Sequence, residues 1–243
     1  MPERNQIIAI VPGYNEEESL PITLGDLKRE RPDIDILVVD DGSKDNTANV
    51  ARSLGCPVVT LPVNLGIGGA VQTGLMYAVE HGYQYGIQFD ADGQHIAGEI
   101  QKILDPVRNG MADVVIGSRF LSEGGFRSSV ARRTGIKIFQ YVVSTAIRQR
   151  ITDSTSGFRA YNFKAMRFLA LDYPCDYPEV EAVVVLAKNR FIVKEVPVLM
   201  RDRQGGVSSI NRLQSVYYMI KVLLAIYMSV ARGATVKLEE ERQ

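Results

Sequence analysis

The sequence predicts an α/β fold in which a mostly parallel sheet is flanked by helices. Five short apolar runs, rich in isoleucine and valine, alternate with segments that have helical periodicity. Uninterrupted apolar runs of this length are typical of strands that are buried on both faces. Their regular alternation with helices indicates parallel strands joined by right-handed crossovers.

The predicted elements follow one another along the first half of the chain. The strands are expected at residues 7–11, 36–39, 58–61, 85–89 and 114–116. The first helix carries Leu20, Leu24 and Leu27 on one face, and the other helices are expected at residues 47–54, 69–80 and 99–109. Asp45 or Asn46 is expected to cap the second helix.

The second half of the chain has a different pattern. It contains a helix candidate at residues 134–147, a short strand or loop in SGFRAYN and a longer strand in FIVKEVPVLM. Because no linker rich in proline and glycine separates the halves, we interpret residues 1–210 as one domain and residues 211–243 as an extension. The extension contains an apolar helix candidate at residues 216–230.

Composition argues against several classes of protein. The 28 basic residues balance 28 acidic ones, whereas a general nucleic-acid binder would have a basic excess. Neither of the two cysteines belongs to a CxxC pair, so a disulfide framework or a zinc site is not expected. The N-terminus lacks the apolar run of a signal peptide, and no stretch has the roughly eighteen uncharged apolar residues of a spanning helix.

Polar clusters follow four of the predicted strands. These clusters are PGYNE, DDGS, NLGIGG and DADGQH, in that order. In an open parallel sheet, ligands bind beyond the carboxyl ends of the strands, so four such clusters on one edge predict a binding site. The glycines of the third cluster match neither GxGxxG nor GxxxxGK[ST], which disfavours a Rossmann dehydrogenase and a P-loop NTPase.

The fourth cluster ends a buried strand on two acids, Asp90 and Asp92. Two carboxylates this close repel each other unless water solvates them or a cation binds both. Mg²⁺ and Mn²⁺ prefer oxygen ligands and keep positions open for phosphate oxygens, and the amide of Gln94 could add a further oxygen. For His95, a turn-forming or capping role and a ligand role both remain open.

Seven segments occur together in the order VPGYNEEESL, ILVVDDGSKDNT, NLGIGGAVQTG, QFDADGQH, VIGSRF, SGFRAYN and EVPVLMRDRQGGVSSI. As an ordered set they resemble the family-two glycosyltransferases, over roughly residues 7–210. The nearest branch is that of dolichyl-phosphate mannose synthase and the bacterial polyprenyl-phosphate sugar synthases. The resemblance implies the GT-A fold, a Rossmann-like, mostly parallel sheet flanked by helices, here with a C-terminal apolar helix.

The resemblance also implies roles for individual residues. The positions that hold the base and ribose of a nucleotide sugar are Pro12, Tyr14, Glu16, Val39 and Asp41. Asp90, Asp92 and Gln94 match the site of the metal, Mg²⁺ or Mn²⁺, and of the diphosphate, with Ala91 touching the nucleotide.

Arginines complete the implied site. Arg119 and Arg203 match arginines that face the diphosphate and the acceptor phosphate, and guanidinium groups suit phosphate geometry. Arg133 matches the arginine for the lipid phosphate, and Ser208 matches the serine of the branch's GxSK loop. With Asp92, Arg119 and Arg203 are the implied catalytic residues. A surface ion pair is the alternative role for any arginine, although we do not expect it for Arg119.

The chain departs from the branch at three places. Ser209 replaces the usual lysine, HIAGE lacks the prolines that often follow the paired acids, and CDYPEVEAVV replaces the segment GF.FQ.E. The leading hypothesis is inverting transfer of a sugar from a nucleotide sugar to a polyprenyl phosphate, with UDP-GlcNAc or UDP-glucose favoured and GDP-mannose as the alternative donor. A saccharide acceptor, with Glu179 or Glu181 as base, and a non-catalytic subunit are the other hypotheses.

The C-terminal helix candidate raises the question of membrane binding. Fifteen residues give a helix of ~22 Å at 1.5 Å per residue, too short for a hydrocarbon core of about 30 Å. Apolar residues on nearly all of its faces indicate either a helix that lies on the membrane or docks to a partner, or a core helix. We expect a cytoplasmic protein peripheral to the membrane, with a small membrane-anchoring protein or homo-oligomerisation as a second anchor.

Overall fold

The structure is a computed structural model. It describes residues 6–121, residues 140–174 except 142, 146 and 148, and residues 176–201. These residues form one seven-stranded sheet with helices on both faces. The strands are β1 (Ile7–Gly13), β2 (Asp35–Asp40), β3 (Val58–Thr60), β4 (Tyr85–Gln88), β5 (Val114–Ser118), β6 (Arg159–Asn162) and β7 (Val193–Pro197). The helices are α1 (Leu20–Glu30), α2 (Thr47–Ser53), α3 (Gly66–Glu80), α4 (Ile100–Arg108), α5 (Phe163–Leu171) and α6 (Pro178–Lys188).

The sheet has the strand order β3-β2-β1-β4-β6-β5-β7. All pairs are parallel except those of β6, which runs antiparallel to both β4 and β5. The prediction of a mostly parallel α/β sheet is therefore confirmed. The SGFRAYN segment, which the sequence left open as strand or loop, supplies β6.

The parallel strands β1, β2 and β5 are buried on both faces, as their sequences predict, whereas the outer strands β3 and β7 are partly exposed. Along β1, Ile8 and Ile10 pack into one hydrophobic cluster while Ala9 and Val11 pack into the other. Helix α3 approaches β1 closely at Gly74, where an added Cβ would lie 2.2 Å from Cγ2 of Ile10. A larger side chain at this position would push the helix away from the sheet.

Several predicted boundaries need small corrections. Strand β1 continues to Gly13, two residues past the prediction, because its backbone stays paired with β2 up to Asp40. Helix α3 begins at Gly66 rather than residue 69, so most of the NLGIGG cluster is helical. Asn46 is the residue that precedes α2, but the carboxylate of Asp45 accepts the hydrogen bond from the backbone N–H of Thr47, at 3.0 Å.

Some predictions fall wholly or partly outside the described residues. The helix predicted at residues 134–147 is described only from residue 140, where the chain is helical. The apolar helix predicted at residues 216–230 lies outside, as does the extension that begins at residue 211. Within the described ranges, no helix combines the length and the apolar character that a bilayer crossing requires.

Candidate active site

The loops after β1 and β2 are tied to each other by hydrogen bonds. The backbone N–H of Asn15 donates to Oγ of Ser43 at 3.0 Å, and the backbone N–H of Lys44 donates to Oδ1 of Asn15 at 2.8 Å. The backbone N–H of Glu16 donates to Oγ1 of Thr47 at 2.9 Å. These bonds hold two of the four polar clusters together at the carboxyl edge of the sheet.

Asp41 connects the third cluster to this edge. Its backbone N–H donates to the carbonyl of Gly13 at 2.9 Å, and its Oδ1 accepts from the backbone N–H of Leu65 at 2.7 Å. The carboxylate is almost fully buried, and this burial raises its pKa above the usual value. Asp41 therefore fixes the start of α3 beside the end of β1.

The paired acids lie in the turn that follows β4. Helix α1 holds this turn from behind, because Oγ1 of Thr23 donates to the carbonyl of Ala91 at 2.9 Å. Oδ1 of Asp92 accepts from the backbone N–H of Gln94 at 3.0 Å. The turn also needs a left-handed backbone at Gly93, whose φ is +77°, a conformation that glycine adopts without strain.

These loops surround a cavity of about 210 Å³. Seven of the predicted binding residues line it, together with three residues that the sequence did not single out. The predicted ones are Pro12, Tyr14, Glu16, Asp41, Asp90, Ala91 and Asp92, and the additional ones are Gly13, Ile67 and Ala70. The cavity is smaller than the roughly 300–1,000 Å³ of typical small-molecule sites, so it accommodates only part of a nucleotide sugar. Val39, the remaining residue of the set predicted to hold the base and ribose, is fully buried in the core and does not line the cavity.

The carboxylate of Asp90 has an unusual environment. Its Oδ1 is inaccessible to solvent and has no hydrogen-bond partner among the described residues. Burial is the largest cause that raises the pKa of Asp90 to about 7, and the charge of Asp92 adds to it, while Gln88, Arg119 and Arg159 act in the opposite direction. A buried, unpaired carboxylate oxygen beside a second acid is the environment that a bound divalent cation would stabilise.

The protein supplies few ligands for such a cation. Among the described residues, no group of three or more His, Cys, Asp and Glu side chains is placed to hold a metal. Mg²⁺ is commonly bound through one or two carboxylates plus substrate phosphates and water. Asp90 and Asp92 therefore fit a metal that is bound jointly with a diphosphate.

The position of His95 decides between its two predicted roles. The ring is buried, stacks on Phe158 at 4.7 Å between centroids, and meets Phe89 edge-on. Its Nδ1 accepts the backbone N–H of Asp90 at 3.0 Å, and burial lowers its pKa to about 4, so the ring is neutral near pH 7. His95 is thus a structural residue that supports the turn at Asp90.

Gln94 contributes through its backbone in this structure. Its N–H donates to Asp92, and its carbonyl accepts from the backbone N–H of Arg201 at 2.8 Å. The side chain does not line the cavity described above. A role of the Gln94 amide as a metal ligand stays a prediction.

Arg119 directly follows β5 and pairs with a buried acid, so it does not form the surface ion pair that was its alternative role. Its Nε and Nη2 donate to the two carboxylate oxygens of Asp153, at 2.8 and 2.7 Å. Asp153 is fully buried, whereas the Arg119 side chain remains 29% exposed. Burial acts to lower the pKa of Arg119, but the hydrogen bond and charge of Asp153 raise it above its ordinary value, and the charges of Asp90 and Asp92 add to this rise. The guanidinium therefore lies within electrostatic reach of the paired acids.

Sequence reasoning missed the buried arginine of this region. Arg159 is fully buried in β6 and donates to three backbone carbonyls, those of Ser154, Ser156 and Glu179, each at 2.8 Å. The SGFR segment contains it, but an arginine next to a short strand is normally a surface residue. No sequence signal distinguishes it from one.

The two glutamates considered as bases have different environments. Oε1 of Glu181 accepts from the backbone N–H of Tyr177 at 2.9 Å and so caps the start of α6. Burial raises the pKa of Glu179. The charge of Arg159 acts to lower this pKa, and the charge of Asp90 acts to raise it. Glu179 is therefore the one of the two that lies near the paired acids.

Other predicted residues and a second cavity complete the description. Arg133, Arg203 and Ser208 lie outside the described residues.

A larger cavity of about 420 Å³ lies on the outer side of α1, between Arg29 and Arg201. Both arginines pair with Asp26, and Arg29 also pairs with Glu30, so the two positive charges are already matched by two carboxylates.

A GT-A-like sheet with paired acids at its carboxyl edge is the arrangement found in the class of transferases that use nucleotide sugars. The glycosyl transferase family 2 model matches residues 8–172, and the chain belongs to this family. It is 31% identical to a UDP-N-acetylglucosamine–dolichyl-phosphate N-acetylglucosaminyltransferase of Methanococcus voltae, over 79% of this chain and 84% of that protein. It is 33% identical to an undecaprenyl-phosphate mannosyltransferase of Micrococcus luteus, over 85% and 88%.

Solved structures agree on the fold. Glucosyl-3-phosphoglycerate synthase from Mycobacterium tuberculosis, in complex with Mn²⁺, UDP and glucosyl-3-phosphoglycerate, matches with a TM-score of 0.69 at 17% identity. The match covers 92% of this chain and 79% of that one. At this identity the likeness supports the fold alone.

Proposed function

We propose that the protein is an inverting glycosyltransferase that moves a sugar from a nucleotide sugar to a polyprenyl phosphate. The observation that carries the proposal is the pair of acids, Asp90 and Asp92, in a cavity at the carboxyl edge of a family-two sheet. Relatives that align over most of this chain are named for transfer to dolichyl phosphate and undecaprenyl phosphate. The alignments cover 84% and 88% of these two relatives.

The donor occupies the cavity in this proposal. Pro12, Tyr14 and Glu16 on one side and Asp41 on the other bind the base and ribose, with Val39 beneath them. Ala91 touches the nucleotide between the two acids. The cavity's small volume suits the nucleoside, which leaves the diphosphate and sugar to extend from Asp90 and Asp92 toward Arg119.

The paired acids hold a divalent cation, Mg²⁺ or Mn²⁺, with Gln94 as a further ligand. The buried, unpartnered Oδ1 of Asp90 supports this assignment. The cation supplies charge neutralisation for the leaving diphosphate. Arg119 adds a fixed positive charge at the same place, because Asp153 holds its guanidinium from behind.

The acceptor phosphate needs positioning more than it needs a base. A phosphate is already an anion near neutral pH, so alignment for attack on the sugar is the larger contribution to rate. We assign this alignment to Arg133, Arg203 and Ser208. Arg203 also faces the departing diphosphate, which makes it catalytic together with Asp92 and Arg119.

The donor sugar is proposed to be N-acetylglucosamine or glucose, carried by UDP, with GDP-mannose as the alternative. The segment DYPEVEA and the segments that follow it resemble the synthases for the first two sugars. Relatives of comparable identity are named for N-acetylglucosamine and for mannose, so identity alone does not choose between them.

The protein works at the cytoplasmic face of the membrane in this proposal. A polyprenyl phosphate keeps its chain in the bilayer, and its phosphate lies at the level of the headgroups. Residues 208–230 are proposed to bring the site to that plane, by contact with lipid or with a small membrane-anchoring protein. Homo-oligomerisation would add a second anchor.

A donor screen tests the proposal. Purified protein is given each nucleotide sugar with a short-chain polyprenyl phosphate and Mg²⁺ or Mn²⁺. We expect one donor to yield a glycosylated lipid, chelation to stop the reaction, and Asp92→Asn to lower the rate at least about 100-fold, because the loss of a ligand costs more than the 10–100-fold typical of outer-shell partners. Asp172→Asn changes an exposed acid and should leave the rate unaltered.

Two results would contradict the proposal. One is transfer that continues in Asp92→Asn and in the presence of chelator. The other is a donor that reacts only with saccharide acceptors, which would favour the second candidate function. For that second function, the burial and the raised pKa of Glu179 make it the better candidate for the base, because Glu181 is engaged in capping α6. In that case Glu179→Gln should abolish saccharide transfer, whereas lipid-phosphate transfer should tolerate the change.

A further inference from the structure

The seven residues 153–159, here called the 153–159 loop, lead into β6 and contact both charged groups of the site. One end holds Arg119, and the other packs against Asp90. None of its residues was assigned a binding or catalytic role from the sequence. The loop is nevertheless mostly buried, which is unusual for a polar segment between secondary-structure elements.

The contact with Asp90 is made at Gly157. A Cβ placed on Gly157 would lie 2.6 Å from Oδ2 and 2.8 Å from Oδ1 of Asp90. Because real Cβ atoms essentially never approach this closely, only glycine lets the loop backbone lie against the carboxylate. The next residue, Phe158, stacks on His95, which accepts the backbone N–H of Asp90. The loop therefore supports both the side chain and, through His95, the backbone of Asp90.

The contact with Arg119 is made at Asp153. Two parallel hydrogen bonds join the carboxylate to the guanidinium, and Oδ2 also accepts the backbone N–H of Arg119 at 3.1 Å. Oγ1 of Thr155 accepts from Nη2 of Arg119 at 3.0 Å. Three acceptor atoms of one short loop thus fix the direction of the guanidinium.

Glu195 and the loop's own last residue, Arg159, hold the loop in place. Oε1 of Glu195, on β7, accepts the backbone N–H of Asp153 at 2.6 Å, and its Oε2 accepts the backbone N–H of Thr152 at 2.7 Å. Arg159 binds the carbonyls of Ser154 and Ser156 from inside the sheet. The loop is therefore fixed at its start by a carboxylate and at its end by a guanidinium.

We propose that the 153–159 loop is a positioning element that sets the carboxylate of Asp90 and the guanidinium of Arg119 relative to each other, with Gly157 and Asp153 as its two contacts. The inference rests on the proposed function, in which these two groups bind the cation and the donor diphosphate. Displacements of about 1 Å in such groups are costly to catalysis, so a rigid common support is required.

Gly157→Ala tests the contact with Asp90. The added methyl group should turn the carboxylate aside while the fold persists, because the clashing atoms are at the end of a side chain. Titration with Mn²⁺ alone, followed by electron paramagnetic resonance, should show affinity weakened about 10–100-fold, with a similar loss in kcat for transfer. Gly25→Ala is the matched control, since its added Cβ meets no atom within 4 Å.

Asp153→Asn tests the other contact with a different readout. It should raise the KM for the donor about tenfold and leave the Mn²⁺ affinity at the wild-type value, a separation that a general loss of stability would not produce. A folded Gly157→Ala variant with wild-type Mn²⁺ affinity would overturn the proposal. If Gly157→Ala does not fold, an unchanged donor KM in Asp153→Asn overturns it. Should the wild-type protein move no sugar to polyprenyl phosphate, the proposed function fails while the Mn²⁺ titration still decides the role of the loop.

Discussion

The loops on the two sides of the paired acids are held by different kinds of bond. On the donor side, after β1 and β2, backbone N–H groups donate to hydroxyl, amide and carboxylate side chains, and several of these bonds are exposed. On the other side, the 153–159 loop is held by arginines, by the buried carboxylate of Asp153 and by the half-buried carboxylate of Glu195. We therefore expect a ligand to be able to shift the loops after β1 and β2, whereas the 153–159 loop should already have its final conformation before the ligand binds.

Energetics explain why the two regions should respond differently to mutation. A typical hydrogen bond contributes about 0.5–1.5 kcal/mol to stability, and an exposed one tends toward the lower value. Removing one partner of a buried charged interaction costs about 3–5 kcal/mol, because the other partner stays buried without compensation. Variants in the two regions should therefore differ several-fold in their effect on the free energy of unfolding.

The largest effect is expected for Arg159→Met. The substitution keeps most of the side-chain volume but removes the donor to the buried carbonyls of Ser154 and Ser156, and the additional bond to the carbonyl of Glu179. We expect the free energy of unfolding, measured with urea, to fall by about 3–5 kcal/mol. Arg167→Met, at an exposed position on α5, is the control and should change it by less than about 0.5 kcal/mol. A loss below about 1 kcal/mol at Arg159 would remove the distinction between the two regions.

An intermediate effect is expected for Glu195→Gln. The amide cannot accept all three hydrogen bonds that reach the carboxylate from Thr152 and Asp153, and its NH₂ group would face a donor. We expect a loss of about 1–3 kcal/mol in urea unfolding, together with a higher KM for the donor as Arg119 loses its support. Glu80→Gln, at an exposed site on α3, is the control. Unchanged donor binding in a destabilised Glu195→Gln would show that the anchor does not act on Arg119.

The smallest effect is expected on the donor side, for Asn15→Gly. Glycine accepts the left-handed backbone found here, with φ of 57°, so the variant removes only the bond from the N–H of Lys44 to Oδ1. We expect a loss of about 0.5–1 kcal/mol in stability and a change of no more than about fivefold in the KM for the donor. A loss comparable to that of Arg159→Met would mean that the donor loops are as tightly built as the 153–159 loop.

The same comparison explains what the sequence could predict. The grouping of Tyr14, Asp41, Asp90 and Asp92 around one cavity was predictable, because strand ends in a parallel sheet meet at one edge and these residues follow such ends. The antiparallel direction of β6 could not be predicted, because a strand of four residues has no periodicity that encodes its direction. The partner of Arg119 was hidden as well. Asp153 lies in DSTSG, which has the composition of a solvated turn, and only the sheet brings it to β5.

The placement of β6 has a consequence for how the molecule folds. Residues 85–88 pair with residues 159–162, so β4 gains its second neighbour only after a long intervening stretch of chain has been made. Pairings between distant segments are slow to form because the chain loses entropy in closing the intervening loop. The 153–159 loop runs directly into β6, so it reaches Asp90 only when that long-range pairing closes. Among the described strands β6 is the sixth of seven along the chain, so β1 to β4 are synthesised before the loop that supports the paired acids.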